Sequence, residues 1–560
     1  MNIVRDLQIY QKTRENFGLV CLLIVAGLLR FLFLTMKAPH FDEGVYGFFV
    51  QEIWRRGFFP YDPTNFHGPT YYYALQVAEQ IFGKGIFAFR FGSGLFSVLT
   101  VYYVWRLNKF FGEVAIWAAV AVAVSPAAVF YSRYTMHESM FILFQVLFAF
   151  HYFDYLAKPS AKSACWLGIY AALLFATKET AIIFLVCFLL SSFLSNWVAQ
   201  GKPWFQYFIK LGRSIFDDRK RVVLSVGVSF ALICFIFSGL LSEPHRIADF
   251  FRAYLFWTKT GTQHASGHEK SFVYWFELLV RYEWPAFAGL LVSPFLIFLG
   301  SKPARFFAFF ALSNLLAYAV IPYKTPWCIL GIVWPLYFLM GFAMVEMYSI
   351  KFVQAIALKH EAMSADRHFR SMRRSGLLSI ALCLASLVLA IRLNFFHFQD
   401  TTEPYVYVQS SEDVNSISEI LSHHIRIFPE DLNMNFVVGM RATWPFPWTL
   451  SGFTRISYRS ILADPVNVDP IPAVAEQRKS IENADVIMID VIDEPKIAQH
   501  ITRKYFKSRF RLRDSYNNCI LFLNSEKFQM SDLAFVQGRV LGGETSIMNF
   551  SVVEPASVKP

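Results

Sequence analysis

Cysteine is scarce in this chain: seven in 560 residues, with no Cys-x-x-Cys pair. That excludes a disulfide framework and a cysteine-based zinc site. Cys21, Cys187, Cys234 and Cys383 fall inside apolar runs, where a thiol behaves as a small buried apolar group. Charge is also sparse, at 17% of residues, against about 25% in a typical soluble domain. The net charge of +11 comes with no basic stripe and no recognised binding motif, which argues against a nucleic-acid partner. Residues 395–560 contain no glycine-rich nucleotide loop.

What fills the space is apolar. Hydrophobic residues make up 55% of the chain and aromatics 18%, with sixty-one Phe. This is the composition of a polytopic α-helical membrane protein. The first run, Phe17 to Met36, is twenty residues long with Arg30 its only charge, and about 20 apolar residues cross a bilayer core. It ends in Thr-Met-Lys-Ala-Pro-His and lacks a small-residue cleavage site, so it is expected to stay as a signal anchor. Further runs lie near 93–110, 113–131, 137–156, 163–177, 180–198, 222–241, 285–300, 304–321, 327–348 and 375–394. The expectation is therefore about 11 transmembrane helices. The intervals 43–57 and 66–82 are aromatic but interrupted by charges, and read as interfacial helices within an outer loop spanning 37–92.

Lys and Arg set the expected orientation. Arg106 and Lys109, Lys158 and Lys162, and Lys302 and Arg305 occupy alternate short connections. The connections 201–221 and 351–374 carry six Lys/Arg each. The positive-inside rule puts these in the cytoplasm, with the N-terminus inside and the C-terminal region outside. The expected location is the cytoplasmic (inner) membrane. Residues 1–394 form the membrane domain. Residues 395–560 lose the long runs and read as a soluble extracytoplasmic α/β domain, with strands at Asn435–Met440 and Ala484–Ile492 and helices at Val414–Phe428 and Pro495–Phe506.

Sorted by expected side, the polar clusters collect on the outer face. They are Asp42-Glu43, then His67 in Phe66-His67-Gly68-Pro69-Thr70-Tyr71, then Arg90. Arg133, His137 and Glu138 follow in Ser132–Glu138, then Lys178-Glu179, and Tyr323-Lys324-Thr325-Pro326-Trp327. Any one of them reads equally well as a turn or a snorkelling cation. Six at span ends on one face describe a cavity of carboxylates, cations and aromatics, since charges near a membrane interior are costly and usually paired or functional.

In that order the clusters resemble the GT-C superfamily of polytopic glycosyltransferases, which use polyprenyl-phosphate sugars. The likeness covers roughly residues 17–330. The Asp42-Glu43 pair, the Arg90-x-x-Ser93 opening, Arg133 with His137-Glu138, and Lys178 after Ala-Thr are similar to protein O-mannosyltransferases and lipid A aminoarabinose transferases. Tyr323-Lys324-Thr325-Pro326-Trp327 and the C-terminal domain look closer to a branch associated with flippase activity in archaeal-type N-glycosylation. Where aminoarabinose transferases carry Lys-Pro-Pro-Leu-Tyr, this chain has His67-Gly68-Pro69-Thr70-Tyr71. A titratable imidazole thus replaces a fixed cation, which argues against lipid A as acceptor.

The resemblance implies a membrane glycosyltransferase with Asp42 as general base and Glu43 positioning it or holding the acceptor. His67, Arg90, Arg133, His137, Glu138, Lys178, Glu179, Tyr323, Lys324 and Trp327 would bind substrate. The partners implied are a polyprenyl-phosphate sugar donor, membrane lipid, and a glycan, lipid or protein acceptor. No cofactor is required. A divalent metal is compatible with His264, His268 and Glu269 if that segment is helical, whereas Gly261, Ser266 and Gly267 read it as a mobile loop that covers the bound substrate. Trp257, Tyr274, Trp275, Tyr282 and Trp284 read either as sugar-stacking groups or as an interfacial belt. Two other readings compete: a flippase for lipid-linked sugars, which calls for polar residues at the midplane and broken helices, and a catalytically silent membrane scaffold.

Overall fold

The computed structural model describes residues 2–65, 67–201, 203–262, 267–346, 365–458, 478–513, 519–536, 540–541 and 544–555. Each of the eleven apolar runs falls largely on a helix. Among the described residues, seven helices are long and apolar enough to cross a membrane, and eight if one bent pair is a single span. Ala161–Phe175 and Trp284–Leu299 are shorter apolar helices. The intervals read as interfacial become the helices Phe41–Arg56 and Thr70–Phe82.

The bent pair shows how interior charge is handled. Glu113–Val124 and Pro126–Ser132 meet at 55°, because Pro126 has no N–H to continue the ladder. A break strands carbonyls on one side and N–H groups on the other. Arg30 meets the first set, donating to Ala123 O at 2.9 Å and Val122 O at 3.1 Å, and to Ser97 Oγ at 2.8 Å. Glu283 meets the second, accepting from Ala127 N at 2.8 Å and Ser125 Oγ at 3.0 Å. Tyr337 donates a further bond to it at 2.6 Å. Both charges are fully buried, and each offsets its desolvation by bonding to a helix end of complementary sign.

The connection 201–221 is more ordered than its charge suggests. Trp204–Asp217 is a helix, and its apolar residues recur at helical spacing.

The chain divides into two compact units: Met1–Leu34 with Glu52–Asn394, and Thr35–Gln51 with Phe395–Pro560. The second is built on a six-stranded mixed sheet ordered β2-β1-β3-β5-β4-β8. Its strands are β1 (Asn435–Gly439), β2 (Arg455–Tyr458), β3 (Val486–Asp490), β4 (Tyr505–Phe510), β5 (Cys519–Asn524) and β8 (Ser551–Val553). The short strands β6 (Val540–Leu541) and β7 (Glu544–Thr545) pair with each other. β1 runs parallel to β2 and β3, and β3 is antiparallel to β5, with Met488 opposite Leu521. Because side chains alternate along a strand, Val486 and Met488 pack with Val414, Ile417 and Leu421 of the helix Glu412–Ile427. Ile487 and Ile489 pack on the other face with Ile481, Ile497 and Phe522.

The helix expected over Pro495–Phe506 is corrected. Only Glu494–Ala498 is helical, and Tyr505–Phe510 is strand β4. The alternating Tyr505, Phe506, Lys507, Ser508, Arg509, Phe510 fits a pleated register against β5, and that pairing overrides the local helical spacing.

Thr35–Gln51 joins the sheet unit through close backbone packing. A Cβ at Gly44 would lie 2.6 Å from Pro445 Cα, and one at Gly47 would lie 2.2 Å from the Trp448 ring. Only glycine lets this helix approach so near.

Candidate functional site

In the first unit, four of the sequence clusters converge. Gly68 makes the first approach possible: its N–H donates to Thr177 O at 3.3 Å, and Thr70 N donates to Ala176 O at 2.9 Å. A Cβ on residue 68 would lie 2.1 Å from Ala176 O. The segment before the helix Thr70–Phe82 thereby lies along the Ala176–Thr177 turn and sets His67 Nδ1 3.0 Å from Glu179 Oε2. The His67 ring lies 4.3 Å from that of His137, centroid to centroid. His137 starts its helix, with Nε2 3.3 Å from Glu138 Oε1. Lys178 Nζ donates to the same Glu138 oxygen and approaches Cys328 Sγ at 3.4 Å.

The result is a chain of carboxylate, imidazole and ammonium groups: Glu179, His67, His137, Glu138, Lys178. Four of the five are almost fully buried, and the His67 side chain keeps 25% of its surface. Burial alone would raise the pKa of Glu179, but His67 and Lys178 outweigh it and hold the carboxyl below its ordinary value. Burial likewise pulls the Lys178 ammonium down, and Cys328, Glu138 and Glu179 reverse that and hold it well above its ordinary value.

A cavity of about 90 Å³ opens beside this chain. His67, Lys178 and Glu179 form its polar wall, and Trp257, Trp275, Tyr318, Tyr323 and Trp327 its aromatic one. Aromatic lining with a few placed polar groups is typical of small-molecule recognition. Tyr318 and Cys328 are lining residues that sequence reasoning missed; Cys328 directly follows Trp327, and only the fold turns it toward Lys178. Glu283, also missed, is a lone acid ahead of an apolar run, and its signal was that isolation.

The remaining cations lie elsewhere in the same unit. Arg133 donates to the carbonyls of Leu32 at 2.6 Å, Phe33 at 3.1 Å and Leu29 at 3.2 Å. Arg90 donates to Leu34 O at 3.0 Å and stands over the Tyr134 ring. Both hold the carboxyl end of the helix Asn2–Phe31 and its following turn. Lys324 Nζ donates to Ile321 O at 2.5 Å and Lys270 O at 3.2 Å. Its backbone N–H donates to His268 O, and Glu269 bridges Tyr323. The loop read as a lid is thus tied at His268–Lys270 to the Tyr323 wall, while Phe66, Gln263, His264, Ala265 and Ser266 lie outside the described residues.

Asp42 and Glu43 belong to the second unit, in the first turn of the helix Phe41–Arg56. Glu43 is fully buried and accepts from His40 N at 2.8 Å, a capping arrangement. His40 Nδ1 accepts from Asp42 N at 3.1 Å, so its Nε2–H donates to Tyr407 O at 2.8 Å. The Asp42 carboxylate stays partly open, with 28% of the side chain exposed. In the same unit His397, Asp400 and Glu403 hold donor atoms within 4.8 Å of one another, the metal-compatible grouping among the described residues. The expectation of a metal rested on other residues.

Residues 66–211 match the model of the family described as dolichyl-phosphate-mannose-protein mannosyltransferase. No curated protein matches the chain by sequence. The fold is similar to that of ArnT from Cupriavidus metallidurans bound to undecaprenyl phosphate, at 14% identity and a TM-score of 0.58, over 90% of this chain and 97% of that one. The apo form of the same protein gives 13% identity and 0.57, with the same coverage. The archaeal oligosaccharyltransferase AglB from Archaeoglobus fulgidus, in complex with an inhibitory peptide and a dolichol-phosphate, gives 12% identity and 0.51 over 89% of this chain and 73% of that one. The chain therefore has a GT-C membrane fold, as the resemblance in its sequence implies.

Proposed function

We propose that this protein is a polyprenyl-phosphate-sugar-dependent glycosyltransferase of the cytoplasmic membrane, acting on an acceptor at the outer face. The observation that carries the reading is the cavity, where aromatic rings face a polar wall of His67, Lys178 and Glu179. The polar wall lies inside the stretch that matches the mannosyltransferase family. Two proteins of similar fold are described with undecaprenyl phosphate and dolichol-phosphate, which supports a donor of that lipid class.

The chemistry asks for what these residues offer. The acceptor oxygen attacks the anomeric carbon, the bond from that carbon to the phosphate oxygen breaks, and its electron pair leaves with the lipid phosphate. The phosphate leaves as an anion, so it needs cations more than a proton. Lys178 is the candidate cation at the cavity wall. Arg90, Arg133 and Lys324, engaged with carbonyls, act on substrate indirectly by fixing the helix ends and turns. Asp42 takes the acceptor proton as general base, and Glu43 holds the helix start that presents it. His137, Glu138, Glu179, Tyr323 and Trp327 complete the binding wall. A single displacement inverts the anomeric centre. In this reading all eleven apolar helices span the membrane, the N-terminus is cytoplasmic, and residues 395–560 form an extracytoplasmic domain that meets the acceptor.

The test is transfer from a panel of radiolabelled polyprenyl-phosphate sugars by the purified protein, with membrane extract supplying glycan, lipid and protein acceptors. Time-dependent label in an acceptor fraction is the expected result. Binding of the donors without any transfer would overturn the reading and favour a flippase or a scaffold.

A further inference from the structure

The helix Trp204–Asp217 connects the apolar helices ending at Gln200 and beginning at Arg219. Trp204, Tyr207, Phe208, Leu211 and Ile215 recur along one stripe, and Phe205, Ile209 and Phe216 widen it. Spacing of i, i+3, i+4, i+7 places such residues on one helix face. Gln206, Lys210, Arg213, Ser214 and Asp217 fill the opposite arc. In a water-soluble protein the apolar face would be covered by the core. Here Tyr207 is the buried member, set 5.1 Å from the Phe193 ring, while Phe208 and Phe216 keep 62% and 66% of their surface.

Two features identify what covers that face. Both ends of the helix run into membrane-length helices within a few residues, which confines it to the membrane surface. The segment 201–221 also carries six Lys/Arg against two Asp, and Lys210, Arg213 and Lys220 are exposed. An amphipathic helix with aromatics on one side and cations on the other lies in the headgroup plane and favours anionic lipid. Arg219 and Arg221 are less available: Arg219 stacks on Phe216 at 4.9 Å, and Arg221 pairs with Asp218 and donates to Pro159 O.

We propose that Trp204–Asp217 is an in-plane membrane helix that binds anionic lipid headgroups through Lys210 and Arg213, together with Lys220 at the start of the following helix, with its aromatic stripe in the acyl boundary. The site is independent of the sugar-transfer reading. It gives the protein a preference for a negatively charged leaflet at the end of the spans opposite the predicted outer loops.

Native mass spectrometry of the full-length protein, released from bilayers of equal phosphatidylglycerol and phosphatidylcholine, measures the lipids retained. Wild type is expected to keep phosphatidylglycerol preferentially. The variant K210A/R213A is expected to lose roughly tenfold or more of that preference, from about fivefold per cation at a charged surface. Equal retention by both proteins would overturn the proposal. Photocrosslinking from p-benzoylphenylalanine at position 208 serves as a second readout on an otherwise unchanged chain. Adducts to lipid acyl chains are expected, and adducts to another protein would overturn the assignment in favour of a docking site.

Discussion

Lys178→Met is expected to lower the stability of the protein by about 3–5 kcal/mol, the usual cost of leaving one partner of a buried ion pair uncompensated. Glu138 is 2% exposed and its Oε1 takes both the Lys178 ammonium and His137, so removing the cation strands a carboxylate among apolar helices. The double variant Lys178→Met/Glu138→Gln removes charge from both sides. It is expected to recover a large part of the loss, because replacing both members of a buried pair is often near neutral. Thermal unfolding in a fixed detergent, followed for both variants beside wild type, checks this. Equal stability of wild type and Lys178→Met would mean that the pair is not the buried unit described. Where the double variant folds, its sugar transfer should remain impaired, since the cavity has lost its cation.

Asp42→Asn is expected to reduce transfer by about 10²–10⁴, the range that a positioned general base contributes, with donor binding retained. The substitution keeps the size of the side chain and leaves untouched the bonds that Glu43 and His40 make at the helix start. Glu43→Gln serves as the comparison, because Glu43 is buried in a cap and should act mainly through stability. Rates measured at saturating donor separate the two. Full activity in Asp42→Asn would remove it as the base while leaving the fold and cavity as they are.

The apolar runs were legible in the sequence because bilayer thickness imposes a length that composition alone reveals. The local clusters around His67, His137, Lys178 and Tyr323 were legible for a similar reason, as charges set at the ends of such runs. Their pairing was not. Nothing local says that His67 meets Glu179 across 112 positions or that Lys178 meets Glu138 across 40; the first contact depends on Gly68 lying against the Ala176 carbonyl. The grouping of Thr35–Gln51 with residues 395–560 was hidden for the same reason, since it rests on Gly44 and Gly47 passing close to Pro445 and Trp448. Arg90 and Arg133 show the opposite case: their chemistry suited a phosphate, and the fold engages them with the carbonyl end of the first helix.

The most direct test of the central claim is to locate the donor. A polyprenyl-phosphate sugar carrying a photoreactive diazirine on the sugar would be crosslinked to the purified protein, and the labelled peptides identified by mass spectrometry. The account predicts label on the peptides containing His67, Lys178 or Trp327, suppressed by excess unlabelled donor. Competed label confined to residues 395–560, with none on those three peptides, would contradict it.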